Sequence, residues 1–296
     1  MKKSGVRGEI LLSITAVVWG LSFISQKLGM NHLGPFTFSA TRLLLGSAVL
    51  VPVFLLLDRV LPDDHDNTNL IPLGILFGTV LFFAISTQQY GLQYTTAGKS
   101  AFITALYILF VPLIGRMFKQ PIAKLQWIGA LIGTVGLYLL SVEPGLTMQF
   151  GDLITVVSSL FWSIHILLID HFAKRLDGVR LSSIQFFVAG ALNLIVALFV
   201  EDIYGPNILA SYGPILFSGV VVVGVAYTFQ ILGQRTVNPA TASLIMSFEA
   251  VIAVIAGMVL LRETMDTREL IGCVIMFAAI ILSQQGAKHE QIVVSD

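Results

Sequence analysis

The string Gln89-Tyr90-Gly91-Leu92-Gln93-Tyr94-Thr95 returns, about 141–143 residues later, as Gln230-Ile231-Leu232-Gly233-Gln234-Arg235-Thr236. Each copy ends a long apolar run. Other matches keep the same register: Gly8-Glu9 with Gly151-Asp152, Trp19 with Trp162, and Ser100 with Thr241. One such match is chance; several on one pattern of apolar runs indicate a duplicated unit. The expected units are residues 8–142 and 150–285, each with five apolar segments.

The runs themselves are too apolar for water. Of 296 residues, 56% are hydrophobic and 11% charged, whereas a soluble domain carries roughly 25% charged residues. So few charges cannot cover a wet surface, so the outer surface is expected to face lipid. A helix crosses the hydrocarbon core in about 20 residues, satisfying its own backbone hydrogen bonds as it does so. Ten segments qualify: 8–28, 35–57, 70–92, 96–117, 122–142, 150–171, 181–200, 211–233, 239–261 and 268–285. The expected fold class is therefore all-α and integral to the membrane. Connections are short, and the longest, 58–69, is acidic through Asp63, Asp64 and Asp66.

Lys and Arg placement sets the orientation. With the amino end in the cytoplasm, Lys2, Lys3, Arg7, Lys124, Lys174 and Arg175 lie inside, and only Lys27, Lys99, Arg262 and Arg268 lie outside. Both termini are then cytoplasmic, in the inner (cytoplasmic) membrane of a bacterial-type cell. Five spans is an odd number, so the second unit enters the bilayer from the opposite side. Inverted repeats of this kind place a binding site near the bilayer midplane, and rocking of one half against the other exposes it to each side in turn. The balanced charge, 17 basic against 17 acidic side chains, argues against a nucleic-acid partner. Cys273 is alone, and no His/Cys cluster has metal-ligand spacing.

Charged groups at membrane depth face the interior or a wet path. Glu249 lies near the middle of the ninth segment, and Arg42 lies about four residues outward of the middle of the second, roughly 6 Å in depth. Two readings stand for this pair. Either Glu249 takes a proton or a cationic group while Arg42 meets a carboxylate, or each satisfies the other or a nearby helix end. Trp19 and Trp162 fall mid-membrane, away from the interfacial belts, where they line a cavity or pack at the repeat interface. Tyr107 and Phe248 occupy matching positions and could frame an amphipathic solute, or simply pack. Gln89 and Gln230 end the matching runs; pathway hydrogen bonding competes there with interfacial solvation, which is also the plainer reading of Gln88 and Gln93. Lys27 and Lys99 are expected to snorkel to the headgroups. His165 reads as a satisfied core histidine, and Gly129 and Gly133 as a close-contact pair within the bundle.

These residues carry a resemblance. Trp19-Gly20-Leu21-Ser22-Phe23 followed by Lys27, the stretch Tyr94 to Thr104 with Tyr107 and Val111-Pro112, and Ser247-Phe248-Glu249-Ala250 followed by Leu261-Arg262-Glu263 resemble the EamA-like branch of the drug/metabolite transporter superfamily. Ala250 stands where the family has Pro, Arg262 where it has Gly, and Lys119-Gln120-Pro121 where it often has Gly-Glu. The resemblance implies ten helices around a central cavity and movement, with export expected, of amino acids or other small metabolites.

The resulting expectation is a secondary transporter working by alternating access, as a monomer or homodimer in the lipid bilayer, with a small-molecule substrate. No nucleotide-binding motif is visible and no cofactor is expected beyond coupled protons. Two other classes remain. An intramembrane lipid-modifying enzyme would need a paired nucleophile and base or a metal set, and a membrane scaffold or sensor would need a long soluble segment; neither feature is legible.

Overall fold

The computed structural model describes residues 2–60, 69–117, 124–143, 147–172, 177–234, 237 and 239–295. The acidic residues Asp63, Asp64 and Asp66, the Lys119-Gln120-Pro121 string, Lys174, Arg175, Arg235 and Thr236 lie outside that set. The first half is built from α1 (Lys2–Gly29), α2 (Pro35–Val60), α3 (Leu70–Gly91), α4 (Ala97–Thr104), α5 (Tyr107–Met117) and α6 (Lys124–Ser141). A two-residue antiparallel pair, Val142–Glu143 with Thr147–Met148, joins the halves. The second half holds α7 (Phe150–Phe172), α8 (Gly178–Val200), α9 (Gly205–Ala210), α10 (Tyr212–Leu216), a π-helical run Phe217–Ala226, α11 (Tyr227–Gln234), α12 (Pro239–Leu260) and α13 (Thr267–Ser295).

Among the described residues, seven helical segments are long and apolar enough to cross a bilayer, and Trp127–Leu140 and Ile245–Leu260 are shorter apolar helices. Large apolar side chains point outward along them; Phe199 is 85% and Val259 71% exposed. In water such exposure would be costly, at about 25 cal/mol per Å² of apolar surface; in lipid it costs nothing.

Helix starts follow local rules. Asp177 caps α8 by accepting from the backbone N–H groups of Val179 (2.9 Å) and Arg180 (3.2 Å). Thr96 caps α4 by accepting from Lys99 N (3.2 Å). Short polar side chains in this position satisfy donors that have no partner inside the helix.

Packing runs mainly between the halves. α1 packs on α12 as α7 packs on α4 and α5, and α3 packs on α7 as the π-helical run and α11 pack on α1. Two pairs join equivalent helices, α2 with α8 and α6 with α13. Both run antiparallel. Leu44 meets Gly190, while Ser47 Oγ, further along α2, donates to the Ser183 carbonyl at 2.7 Å, further back along α8. On the other pair Gly133 lies by Ala279, Gly136 by Met276 and Leu140 by Gly272. A Cβ on Gly136 would sit 2.8 Å from the Met276 nitrogen and 3.0 Å from the Gly272 carbonyl oxygen. Gly136 and Gly272 thus set the α6–α13 approach, one turn beyond the Gly129–Gly133 pair read from the sequence.

Candidate functional site

Where α1, α2, α3, α5, α7, α11 and α12 converge, the interior leaves a cavity of about 70 Å³. Its wall is drawn from both halves. Trp19 and Gln26 come from α1, Arg42 from α2, Tyr107 from α5, Trp162 from α7, Tyr227 from α11 and Glu249 from α12. The π-helical run lies beside it and contributes Val222 and Val223. Five valines and two glycines make up most of that run, and its Gly219 lets α2 come close: a Cβ there would lie 3.0 Å from the Arg42 carbonyl oxygen. π-helical turns are rare and gather at functional sites.

Arg42 is 4% exposed. One terminal nitrogen donates to the side-chain oxygens of Gln26 (3.4 Å) and Gln89 (3.2 Å), and the guanidinium lies over the Phe38 ring at 5.6 Å. Neutral amides and a π-face therefore hold the cation, and no ion pair joins it to Glu249 among the described residues. Glu249, 5% exposed, instead accepts from the Tyr107 hydroxyl at 3.3 Å. Trp19 packs on Tyr227 with ring centroids 5.0 Å apart. Trp162 stands edge-on to His165, whose Nε2 is 2.9 Å from Gln185 Oε1.

The structure brings Arg42, Glu249, Trp19, Trp162 and Tyr107 to one cavity wall. Gln89 is fully buried behind Arg42 as its acceptor. Gln230 is half-buried and lies off the wall. Phe248 is 46% exposed and stacks edge-on against Phe277 at 5.3 Å, on the outer side of α12. Adjacent residues on a helix point about 100° apart, so Glu249 and Phe248 cannot share a face. Sequence reasoning passed over Tyr227, Gln26 and Ser22. Gln26 lies one further turn along the face that carries Trp19 and Ser22, and that i, i+3, i+7 spacing was the available signal. Gln88 departs from the interfacial reading: it is 5% exposed and donates to Thr104 Oγ1 at 2.9 Å.

The model of the EamA-like transporter family matches residues 6–142 and again residues 149–284. This chain belongs to the EamA-like transporter family. It is similar, at 25% identity over 93% of its length and 84% of the relative's, to an "Uncharacterized transporter" of Archaeoglobus fulgidus. At 23% identity over 93% of the chain and 96% of the relative, it is similar to the Bacillus subtilis "Uncharacterized transporter YoaV". At 24% over 90% and 87%, it is similar to the Escherichia coli "Uncharacterized inner membrane transporter YedA". A solved crystal structure shares its fold with a TM-score of 0.69 and 17% identity, over 95% of this chain and 98% of that one. The apolar helices and the family together make this EamA protein a multi-pass membrane transporter.

One end of the EamA fold is closed by side chains that cross between the halves. Glu201, after α8, accepts from the N–H groups of Phe36 and Thr37 (both 2.8 Å) and from Thr37 Oγ1 (2.6 Å), capping α2. Glu263, after α12, accepts from Ala97 N (2.8 Å) and Gly98 N (3.3 Å), capping α4. Carboxylates suit helix N-termini, where free N–H groups and the helix dipole leave partial positive charge. Glu263 reaches α4 because the chain reverses at Arg262, whose φ of 56° is left-handed. The Glu263 N–H then returns to the Gly257 carbonyl at 3.1 Å, closing the turn that ends α12. This is the position where the family has Gly, the residue that adopts this φ without strain. Lys99 pairs with Glu269 of α13, Thr95 Oγ1 donates to Asp152 of α7, and Lys27 donates to the carbonyls of Leu92 and Thr95. The snorkelling expectation therefore fails for Lys99, which is 6% exposed. A carboxylate within reach offers more than the headgroup region does.

Proposed function

We propose that this chain is a secondary transporter of small amphipathic metabolites, amino acids or related solutes, working by alternating access as an exporter. In this reading ten helices cross the membrane, residues 8–142 and 150–285 are inverted repeats, and both termini face the cytoplasm. The observation that carries it is the cavity wall: Trp19 and Trp162, equivalent residues of the two halves, flank a central space that also holds a buried Arg42 and a buried Glu249. A site shared between repeats is what rocking of one half against the other can open to either side. The antiparallel crossings of α2 with α8 and α6 with α13 support the inversion, since equivalent helices of inverted units run in opposite senses. The closed end, with its cross-half caps, supports a shut outer gate. Protons are the proposed coupling ion, with Glu249 as carrier and Tyr107 as its partner, and no cofactor takes part.

The test is flux in proteoliposomes holding the full chain, with radiolabelled amino acids and an imposed pH gradient. We expect saturable flux that follows the gradient, and flux in Glu249→Gln that no longer responds to pH. Flux indifferent to the gradient in the native chain rejects proton coupling. Absence of saturable flux for every solute rejects the transport reading.

A further inference from the structure

Three hydrogen-bond donors of cavity-wall residues have no acceptor among the described residues. Trp19 Nε1, Trp162 Nε1 and Arg42 Nε are buried and without a partner among the described residues. All three belong to residues that wall the same cavity. Three other wall donors are spent. Gln26 Nε2 donates to Ser22 Oγ at 3.1 Å, Gln88 Nε2 to Thr104 Oγ1 at 2.9 Å, and the Tyr107 hydroxyl to Glu249 Oε1 at 3.3 Å. The acceptors nearest Arg42, the amide oxygens of Gln26 and Gln89, already take its terminal nitrogen. Glu249 bonds none of the three free donors. Native interiors leave few buried donors unpaired, and those that persist call for an explanation. Buried tryptophan in particular finds an acceptor for its N–H.

Building on the transport reading, we propose that these three groups form the subsite for an oxyanion of the substrate, a carboxylate or a phosphate. The occupant supplies the acceptors that these three donors lack. Arg42 brings charge, and a guanidinium held by two neutral amides keeps its full charge for a ligand instead of spending it on a protein carboxylate. The two indole N–H groups come from equivalent positions of the halves, so an anion bound between them contacts both repeats at once. Glu249 is left for the other, cationic or protonic, end. The solute class that matches both is a zwitterion or an organic acid with an apolar body, and a neutral amide or an amine of the same shape is the poor competitor.

The probes are L-phenylalanine, L-phenylalaninamide and phenyl phosphate, titrated calorimetrically into the purified full chain in detergent. We expect an acid probe to bind at least about tenfold more tightly than the amide, which is about 1.4 kcal/mol. Phenylalanine leading identifies the carboxylate as the anion, and phenyl phosphate leading identifies the phosphate. Trp19→Phe/Trp162→Phe removes both N–H groups and keeps the aromatic packing. It should cut the acid preference several-fold and leave the thermal midpoint in place, and Arg42→Gln should abolish the preference. Equal binding of acid and amide, no saturable binding of any probe, or an undiminished preference in the double Trp variant would overturn the subsite. Acid-selective binding without flux would sink the transport reading and spare this one; flux without acid preference would do the reverse.

Discussion

The closed end of the molecule and the cavity use the same kinds of side chain to opposite effect. At the closed end Glu201 and Glu263 have found backbone donors, Lys99 has found Glu269, and Thr95 has found Asp152. In the cavity, among the described residues, Arg42 has two amides and a phenyl face, Glu249 has a tyrosine hydroxyl, and two indole N–H groups have no partner. Satisfied polar networks rigidify, and unsatisfied ones leave free energy available to an occupant. The difference separates a part that holds a conformation from a part that waits for a ligand.

The contrast can be broken by stability measurements, since removing a satisfied group should cost more than removing an idle one. The largest effect is expected from Lys99→Met, which strands Glu269 beside a buried position. A loss of about 3 kcal/mol is expected from breaking such a pair, read as a lowered thermal midpoint in detergent. The double variant Lys99→Met/Glu269→Leu should recover most of it. Next comes Glu201→Ala, which uncaps α2 and should cost about 1–2 kcal/mol by the same readout. Arg262→Gly works in the other direction: relief of the left-handed strain should raise stability by about 1 kcal/mol. The smallest change is expected from Trp19→Phe, below about 1 kcal/mol, because its N–H has no bond to lose among the described residues and an aromatic ring still packs on Tyr227. If Trp19→Phe proves as destabilising as Glu201→Ala, the cavity is structural core and the contrast disappears.

The membrane class and the two-unit plan were legible because they rest on composition and on a repeated string, both of which survive without coordinates. The residues at the cavity were legible in part. Arg42 and Glu249 stand out because a charge in an apolar run has few places to go, and Trp19 and Trp162 because they recur in register. Gln89 and Lys99 were harder. Their depth along a helix is readable, but the partner that draws each inward lies on another helix 47 residues or more away in sequence, Arg42 for one and Glu269 for the other. Phe248 shows the converse limit: it is next to Glu249 in sequence, yet one residue of helix turns it toward Phe277 and lipid. The cross-half caps of Glu201 and Glu263 depend wholly on tertiary placement, and Arg262 in place of the family's glycine gave no sign that the chain would still reverse there.

Alternating access between the halves requires their opposed insertion, and side-specific labelling reads that directly. In a chain whose single Cys273 is replaced by Ala, a cysteine is placed at Lys2 or at Thr147, and intact cells are treated with a membrane-impermeant maleimide. The prediction is that the Thr147 cysteine reacts from outside and the Lys2 cysteine reacts only after the membrane is opened. Labelling of both from the same side would mean that the halves enter the bilayer alike, and a shared chamber opened by rocking would no longer describe this protein.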